Sequence, residues 1–135
     1  MFEWAIKGKL IRGPRPRNGN NRLGQVPKSS VDAWLQAAKK RYGVRSIICL
    51  LHRQEFQRYK EVSENLVAYY RFQGFAVNHI PQRNLRKPPL SPRDLRMVWK
   101  AYERLEKPVL VHCSAGISRT GIAVRYIKAR VAESD

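Results

Sequence analysis

Cysteine is scarce in this 135-residue chain: Cys49 and Cys113 are its two thiols. Two thiols make no disulfide framework, and the three histidines (His52, His79, His112) are scattered. No Cys/His set has the spacing of metal ligands, so neither a metal nor another cofactor is expected. Long apolar runs are missing too. No stretch approaches the ~18–20 residues that span a bilayer, so a membrane partner is not expected. The opening MFEWAIKGKL carries a charge at Glu3 and lacks the apolar centre of a signal peptide. The expectation is a soluble, cytoplasmic protein. Acidic residues are the third shortage: 10 Asp and Glu stand against 27 Lys and Arg, a net charge of +17. That excess points either to polyanionic partners (nucleic acid, phosphorylated groups, an acidic surface) or to nothing beyond solubility.

What is present suffices for one domain over 1–135, since 43% of the residues are apolar. Glu3–Ile6 and Lys9–Ile11 read as one or two short strands. The segment RGPRPRNGNNRLGQVPK (Arg12–Lys28) is rich in Gly, Pro and Asn, carries five cations and no acid, and reads as a long surface loop. Ser29 and Asp32 have the spacing of a helix cap, and Gly43 ends that helix. VRSIICLL (Val44–Leu51) is a β-branched run that reads as a buried strand. A second helix is expected between Arg53 and Phe72. FAVNHI (Phe75–Ile80) is the next strand. PQRNLRKPPL (Pro81–Leu90) is a second basic loop. Ser91-Pro92-Arg93-Asp94 starts a helix that runs to about Glu106. Pro108–His112 is a further buried strand, and Thr120 to about Val131 is the last helix. Strands alternating with helices imply an α/β fold, a mostly parallel central sheet flanked by helices. Such sheets place their sites at the carboxyl ends of strands.

Cys113 lies at that kind of position. Gly116 and the small Ser114 and Ala115 let backbone N–H groups turn inward as an anion nest. The following helix points its N-terminus at the same place, and Arg119 brings a planar fork of donors suited to phosphate. Such a cluster favours the thiolate, the form that attacks phosphorus in line. The Thr120 hydroxyl is placed to donate to the sulfur, and His112 to orient the loop. The plain alternative is a buried structural cysteine. It leaves Arg119, two glycines and a hydroxyl at one strand–helix turn to chance.

His112-Cys113-Ser114-Ala115-Gly116-Ile117-Ser118-Arg119-Thr120 resembles the H-C-x5-R-[ST] signature loop of the cysteine-dependent protein tyrosine and dual-specificity phosphatases. Its place near the C-terminus resembles the dual-specificity arrangement. WAIKGKL, VRSIICLL and FAVNHIP are more weakly similar to strand regions of that family. The resemblance implies a dual-specificity phosphatase-like fold and no metal. It implies Cys113 as nucleophile, forming a phosphocysteine intermediate. Ser114, Ala115, Gly116, Ile117 and Ser118 would cradle the phosphate with Arg119. Arg119 would bind the transition state, Thr120 would assist the second step, and His112 would support the loop. The partner implied is a phosphorylated protein or peptide, phosphotyrosine first, with phosphoserine and phosphothreonine beside it.

The sequence departs from the family at the general acid. Expelling a phenolate of pKa about 10 benefits from a proton donor, and the family supplies an aspartic acid from the loop before the signature strand. The matching position here is Asn84, 29 residues before Cys113. Asparagine delivers no proton. Three explanations stay open: an Asp-to-Asn substitution introduced to slow turnover, another carboxylate such as Asp94, or a leaving group that needs little protonation. Asp94 also reads as the cap partner of Ser91. The third explanation opens a different reading, an RNA 5′-triphosphatase or polyphosphatase of the same superfamily, with the basic loops holding an RNA 5′ end. A catalytically impaired phosphate-binding module is the remaining alternative. Cys49 resembles the second thiol with which some of these phosphatases protect the nucleophile, yet its place inside IICLL reads as core. Family members usually continue past the signature helix into further helices that cover one side of the sheet, so either the domain is minimal or that face is exposed.

Overall fold

Val109-Leu110-Val111-His112 is buried at every position, which places it at the centre of a sheet rather than at an edge. The computed structural model, which describes residues 1–19, 24–83 and 85–134, bears this out. The elements run β1 (Glu3–Ile6), β2 (Leu10–Gly13), α1 (Lys28–Tyr42), β3 (Ser46–Cys49), a 3₁₀ helix (Arg53–Arg58), α2 (Leu66–Phe72), β4 (Ala76–His79), α3 (Pro92–Arg104), β5 (Val109–His112) and α4 (Ser118–Ser134). The sheet order is β1-β2-β5-β3-β4. β1 and β2 pair antiparallel, and every other pair is parallel. The fold is the expected mixed α/β architecture with helices on both faces.

Side chains alternate across the sheet and build two core layers. Ile11, Ile47, Cys49 and Leu110 face α1 and α2, together with Val31, Leu35, Leu66 and Tyr70. Leu10, Ile48, Val109, Val111 and Cys113 face α3 and α4, together with Val98, Ala101, Ala123 and Ile127. Cys49 and Cys113 therefore belong to opposite layers. Both are free thiols. Burial pushes the Cys49 thiol up to about 12, so it is a neutral packing group.

Four elements differ from the sequence reading. The helix expected between Arg53 and Phe72 is two pieces. Glu64 adopts φ 60, which no helix interior accommodates, and Asn65 then caps α2 by accepting from the Ala68 N–H at 2.9 Å. α1 starts at Lys28 behind Pro27 with no side-chain cap, so Ser29 is not its N-cap. Asp32 instead takes Lys28 at 3.2 Å and the Tyr69 hydroxyl. α4 begins at Ser118, so Arg119 and Thr120 lie inside its first turn. Lastly, the start of the segment after β2 is no free surface loop. Arg15 is 2% exposed, and the reason lies in the site.

Candidate active site

β5 delivers Cys113 to the carboxyl edge of the sheet, 2% exposed, in the turn leading to α4. Gly13 of β2 and Cys49 of β3 flank His112 in register. Gly116 holds φ 77 against the β2 end. A Cβ there would sit 2.7 Å from the Gly13 carbonyl carbon, so glycine alone fits this close approach.

The carbonyls of the turn are tied down from outside. The Cys113 carbonyl faces His112 Nδ1 at 3.1 Å. The Ser114 carbonyl accepts from the Arg15 N–H at 2.9 Å and from Arg17 Nη2 at 3.4 Å. The Gly116 carbonyl accepts from Arg12 Nη2 at 2.9 Å. In a trans peptide the N–H points opposite to the carbonyl. Pulling these three carbonyls outward turns the N–H groups of Ser114, Ala115 and Ile117 to the inner side. None of the backbone N–H groups from Ser114 to Ile117 donates to an acceptor among the described residues. They open beside the N-terminus of α4, an anion nest with a helix dipole behind it.

Arg12 and Arg15 thus brace the turn from the other side. Arg15 also donates to the Tyr59 hydroxyl at 3.0 Å and to the Pro16 carbonyl at 3.2 Å. Cations read from the sequence as a free basic loop are, in these two cases, structural. That leaves less of the loop's charge to grip a nucleic acid.

His112 is fully buried, with both ring nitrogens engaged. The Cys113 carbonyl can only accept, so Nδ1 carries the proton. Nε2 then accepts from the Tyr70 hydroxyl, 3.1 Å away. Trp34 stacks on Tyr70 with its centroid at 5.5 Å, meets the imidazole edge-on at 5.1 Å, and anchors its own Nε1 on the Pro14 carbonyl at 3.0 Å. Burial lowers the imidazole from 6.5 to about 4, against the opposing pull of the Cys113 carbonyl. A ring neutral in the fold but titrating near 6.5 when unfolded costs stability as acid is added. The stability is complete above pH 6.5 and is lost between pH 6.5 and about 4, by about 3 kcal/mol. Denaturant unfolding from pH 7.5 to 5 is expected to show that decline, with a visibly flatter slope in His112→Asn. An unchanged slope in the variant would remove His112 as its source.

Arg119, 2% exposed, is held by Glu55. Nη1 donates to Oε2 at 2.8 Å and Nη2 to Oε1 at 3.0 Å. Nη1 also donates to the Gln82 carbonyl at 2.8 Å. This use of the donors leaves Nε–H and the second Nη2–H, which lie parallel on one side of the guanidinium and form a free bidentate fork. Burial disfavours the charge, but the hydrogen bond and charge of Glu55, with the neighbouring Cys113 sulfur, raise Arg119 above its usual value. Glu55 mirrors this. Burial pushes its carboxyl up, while hydrogen bonds from Arg119 and the His52 N–H hold it lower still. Its acidity therefore makes it an anchor for Arg119 and no proton donor at neutral pH.

The turn brings Cys113, Ser114, Ala115, Gly116 and Ile117 together with Ser118 and Arg119 at the start of α4. Thr120 is fully buried, and its Oγ1 has no hydrogen-bonding partner among the described residues. The O–H donation to sulfur read from the sequence is not made in this resting geometry. Asp94 is committed elsewhere. Its Oδ2 accepts from Ser91 Oγ at 2.9 Å, and its N–H donates to the same oxygen at 3.1 Å. It is the partner of the Ser91 cap in the first turn of α3 and makes no hydrogen bond to the signature turn. Asn84 lies outside the described residues. The sequence reading missed Glu55, Tyr70, Arg12 and Arg15. Glu55 alone left a trace, as the one acid among Arg53, Arg58 and Lys60 just past a strand end.

A thiol at the end of the central parallel strand, a nest of free N–H groups and a clamped arginine thus stand together at the carboxyl edge of the sheet. The family model for protein-tyrosine phosphatases matches residues 60–131, just over half of the chain and all of the signature turn. The chain belongs to that family. Its fold is similar to the crystal structure of the core catalytic domain of the PP-IP phosphatase SIW14 from S. cerevisiae in complex with citrate, with a TM-score of 0.56 and 18% identity. The match covers 95% of this chain and 64% of that one. This chain thus spans less than two thirds of that neighbour's length, and at this identity the likeness speaks for the fold alone. No curated protein matches the sequence. No helix among the described residues is long and apolar enough to cross a membrane.

Proposed function

We propose that the protein hydrolyses phosphate monoesters in two steps through a Cys113 phosphocysteine, with phosphotyrosine in a protein or peptide as the preferred substrate. The observation that carries this reading is the set of free donors around Cys113. Three phosphoryl oxygens fit the nest from Ser114 to Ile117 and the open side fork of Arg119. The Cys113 thiolate attacks phosphorus as the ester P–O bond breaks, and that electron pair leaves with the alcohol oxygen. Water then attacks the phosphocysteine, the P–S bond breaks, and orthophosphate and thiolate are released. In this second step the unpartnered Thr120 hydroxyl can turn to stabilise the departing sulfur. Ile117, 70% exposed on the rim of the turn, offers an apolar face to an aromatic ring.

The leaving group decides between this reading and a phosphoanhydride substrate. The second reading is favoured by Asn84 at the acid position and by the neighbouring fold, whose own substrate is a PP-IP. A phosphate chain leaves more easily than a phenolate and needs the acid less. The test compares the protein with Asn84→Asp on p-nitrophenyl phosphate, a phosphotyrosine peptide and triphosphate-ended RNA. Asn84→Asp is expected to raise phosphotyrosine turnover by about 10²–10⁴-fold, and p-nitrophenyl phosphate turnover far less, because nitrophenolate is a weaker base. RNA as the better substrate of the unaltered protein would reverse the preference. Binding of phosphate with no turnover of any substrate would leave a phosphate-binding module.

A further inference from the structure

A pocket of about 670 Å³ is lined by His52, Arg53, Pro81, Arg83 and Arg86. Its volume is in the range of small-molecule sites. Its walls are the two segments that hold Arg119. The loop after β3 supplies His52 and Arg53 and, three residues on from His52, the Glu55 clamp, which also accepts the His52 N–H at 2.6 Å. The loop after β4 supplies Pro81 and Arg83 on either side of Gln82, whose carbonyl accepts from Arg119. Both segments follow parallel strands of the sheet whose carboxyl edge carries Cys113.

No carboxylate lines it. Among the described residues Arg53 and Arg83 form no ion pair, and Arg86 has only Asp94, at 4.0 Å. This contrasts with Arg12, which donates to the Gly116 carbonyl, and with Arg15, which donates to Ser114, Pro16 and Tyr59. Three exposed guanidiniums converging on one concavity repel each other unless an anion joins them. A single phosphate on Cys113 already has its donors in the turn and on Arg119, so it does not call for these three.

We propose that this pocket is a second anion subsite, and that the favoured substrates carry a further phosphate which Arg53, Arg83 and Arg86 bind while the scissile one sits on Cys113. The proposal rests on the reading of the turn as the phosphoryl site. It names the substrate class as bis- or polyphosphorylated molecules.

The test uses Cys113→Ser protein, so that ligands are bound and not consumed. Calorimetry compares inorganic orthophosphate with inorganic tripolyphosphate. Tripolyphosphate is expected to bind about 10–100-fold more tightly, the worth of one or two charge-assisted contacts. Adding Arg53→Ala, Arg83→Ala and Arg86→Ala is expected to erase that ratio. Removing Lys39, Lys40 and Arg41 at the far end of α1 leaves it in place, which separates a local subsite from the general pull of a +17 chain. Equal affinity for the two anions, or a ratio that survives the triple arginine replacement, overturns the subsite. Loss of the ratio on removing Lys39, Lys40 and Arg41 overturns it as well. Failure of orthophosphate to bind would instead sink the reading of the turn. A doubly phosphorylated peptide and triphosphate-ended RNA, run as competitors, tell which source supplies the second phosphate.

Discussion

Cys113→Ser is expected to lower kcat on aryl phosphates by about 10⁴–10⁶-fold, the scale seen when a covalent nucleophile is removed. A serine hydroxyl fits the same space, but its oxygen stays protonated in a site with no base to accept the proton. The rest of the cradle persists. Its carbonyls are pinned by His112, Arg12, Arg15 and Arg17, none of which touches the Sγ atom in these contacts. The variant should therefore keep its fold and still bind orthophosphate. Steady-state turnover with calorimetry checks both halves. Aryl phosphate hydrolysis that survives the replacement would place the nucleophile elsewhere.

Arg119→Ala is expected to cost about 10³–10⁵-fold in kcat, as for other arginines that stabilise phosphoryl transfer. It should also destabilise the protein by about 2 kcal/mol, because Glu55, only 17% exposed, loses its partner. The two effects come from opposite sides of one guanidinium and separate in a double variant. Arg119→Ala with Glu55→Gln is expected to recover most of the stability and none of the rate. Arg119→Lys should also fail to restore the rate, since an ammonium cannot hold Glu55 and offer a parallel fork at once. Denaturant unfolding and kcat on p-nitrophenyl phosphate, measured on all three, check the separation. A double variant that regains activity would move the role of Arg119 from binding phosphate to holding structure.

The site was legible in the sequence where its parts are neighbours along the chain. A buried strand, a thiol, small residues, an arginine and a helix start are all local, and together they were enough to expect the anion nest. The clamps were not legible. Glu55 reaches Arg119 across 64 positions, Tyr70 reaches His112 across 42, and Arg12 reaches Gly116 across 104. Nothing in their own surroundings says which carbonyl or ring they meet. Arg12 and Arg15 read as cations of a surface loop for the same reason, since composition counts cations but not what their donors face. The fold was legible as alternating strands and helices, and one of its errors falls at a break set by a single residue. Glu64 at φ 60 is such a break, because a left-handed glutamate leaves no mark in hydrophobic periodicity.

The central claim is that phosphate passes through the Cys113 sulfur. Acid quenching in the first milliseconds of turnover of a phosphotyrosine peptide, followed by mass analysis of the digested protein, tests it directly. The account predicts one phosphoryl group on the peptide that carries Cys113, absent in Cys113→Ser. It also predicts that the adduct persists longer when Thr120 is replaced by Ala, because the departing sulfur then lacks its hydroxyl. Turnover with no adduct at any time, or an adduct on another residue, would contradict it.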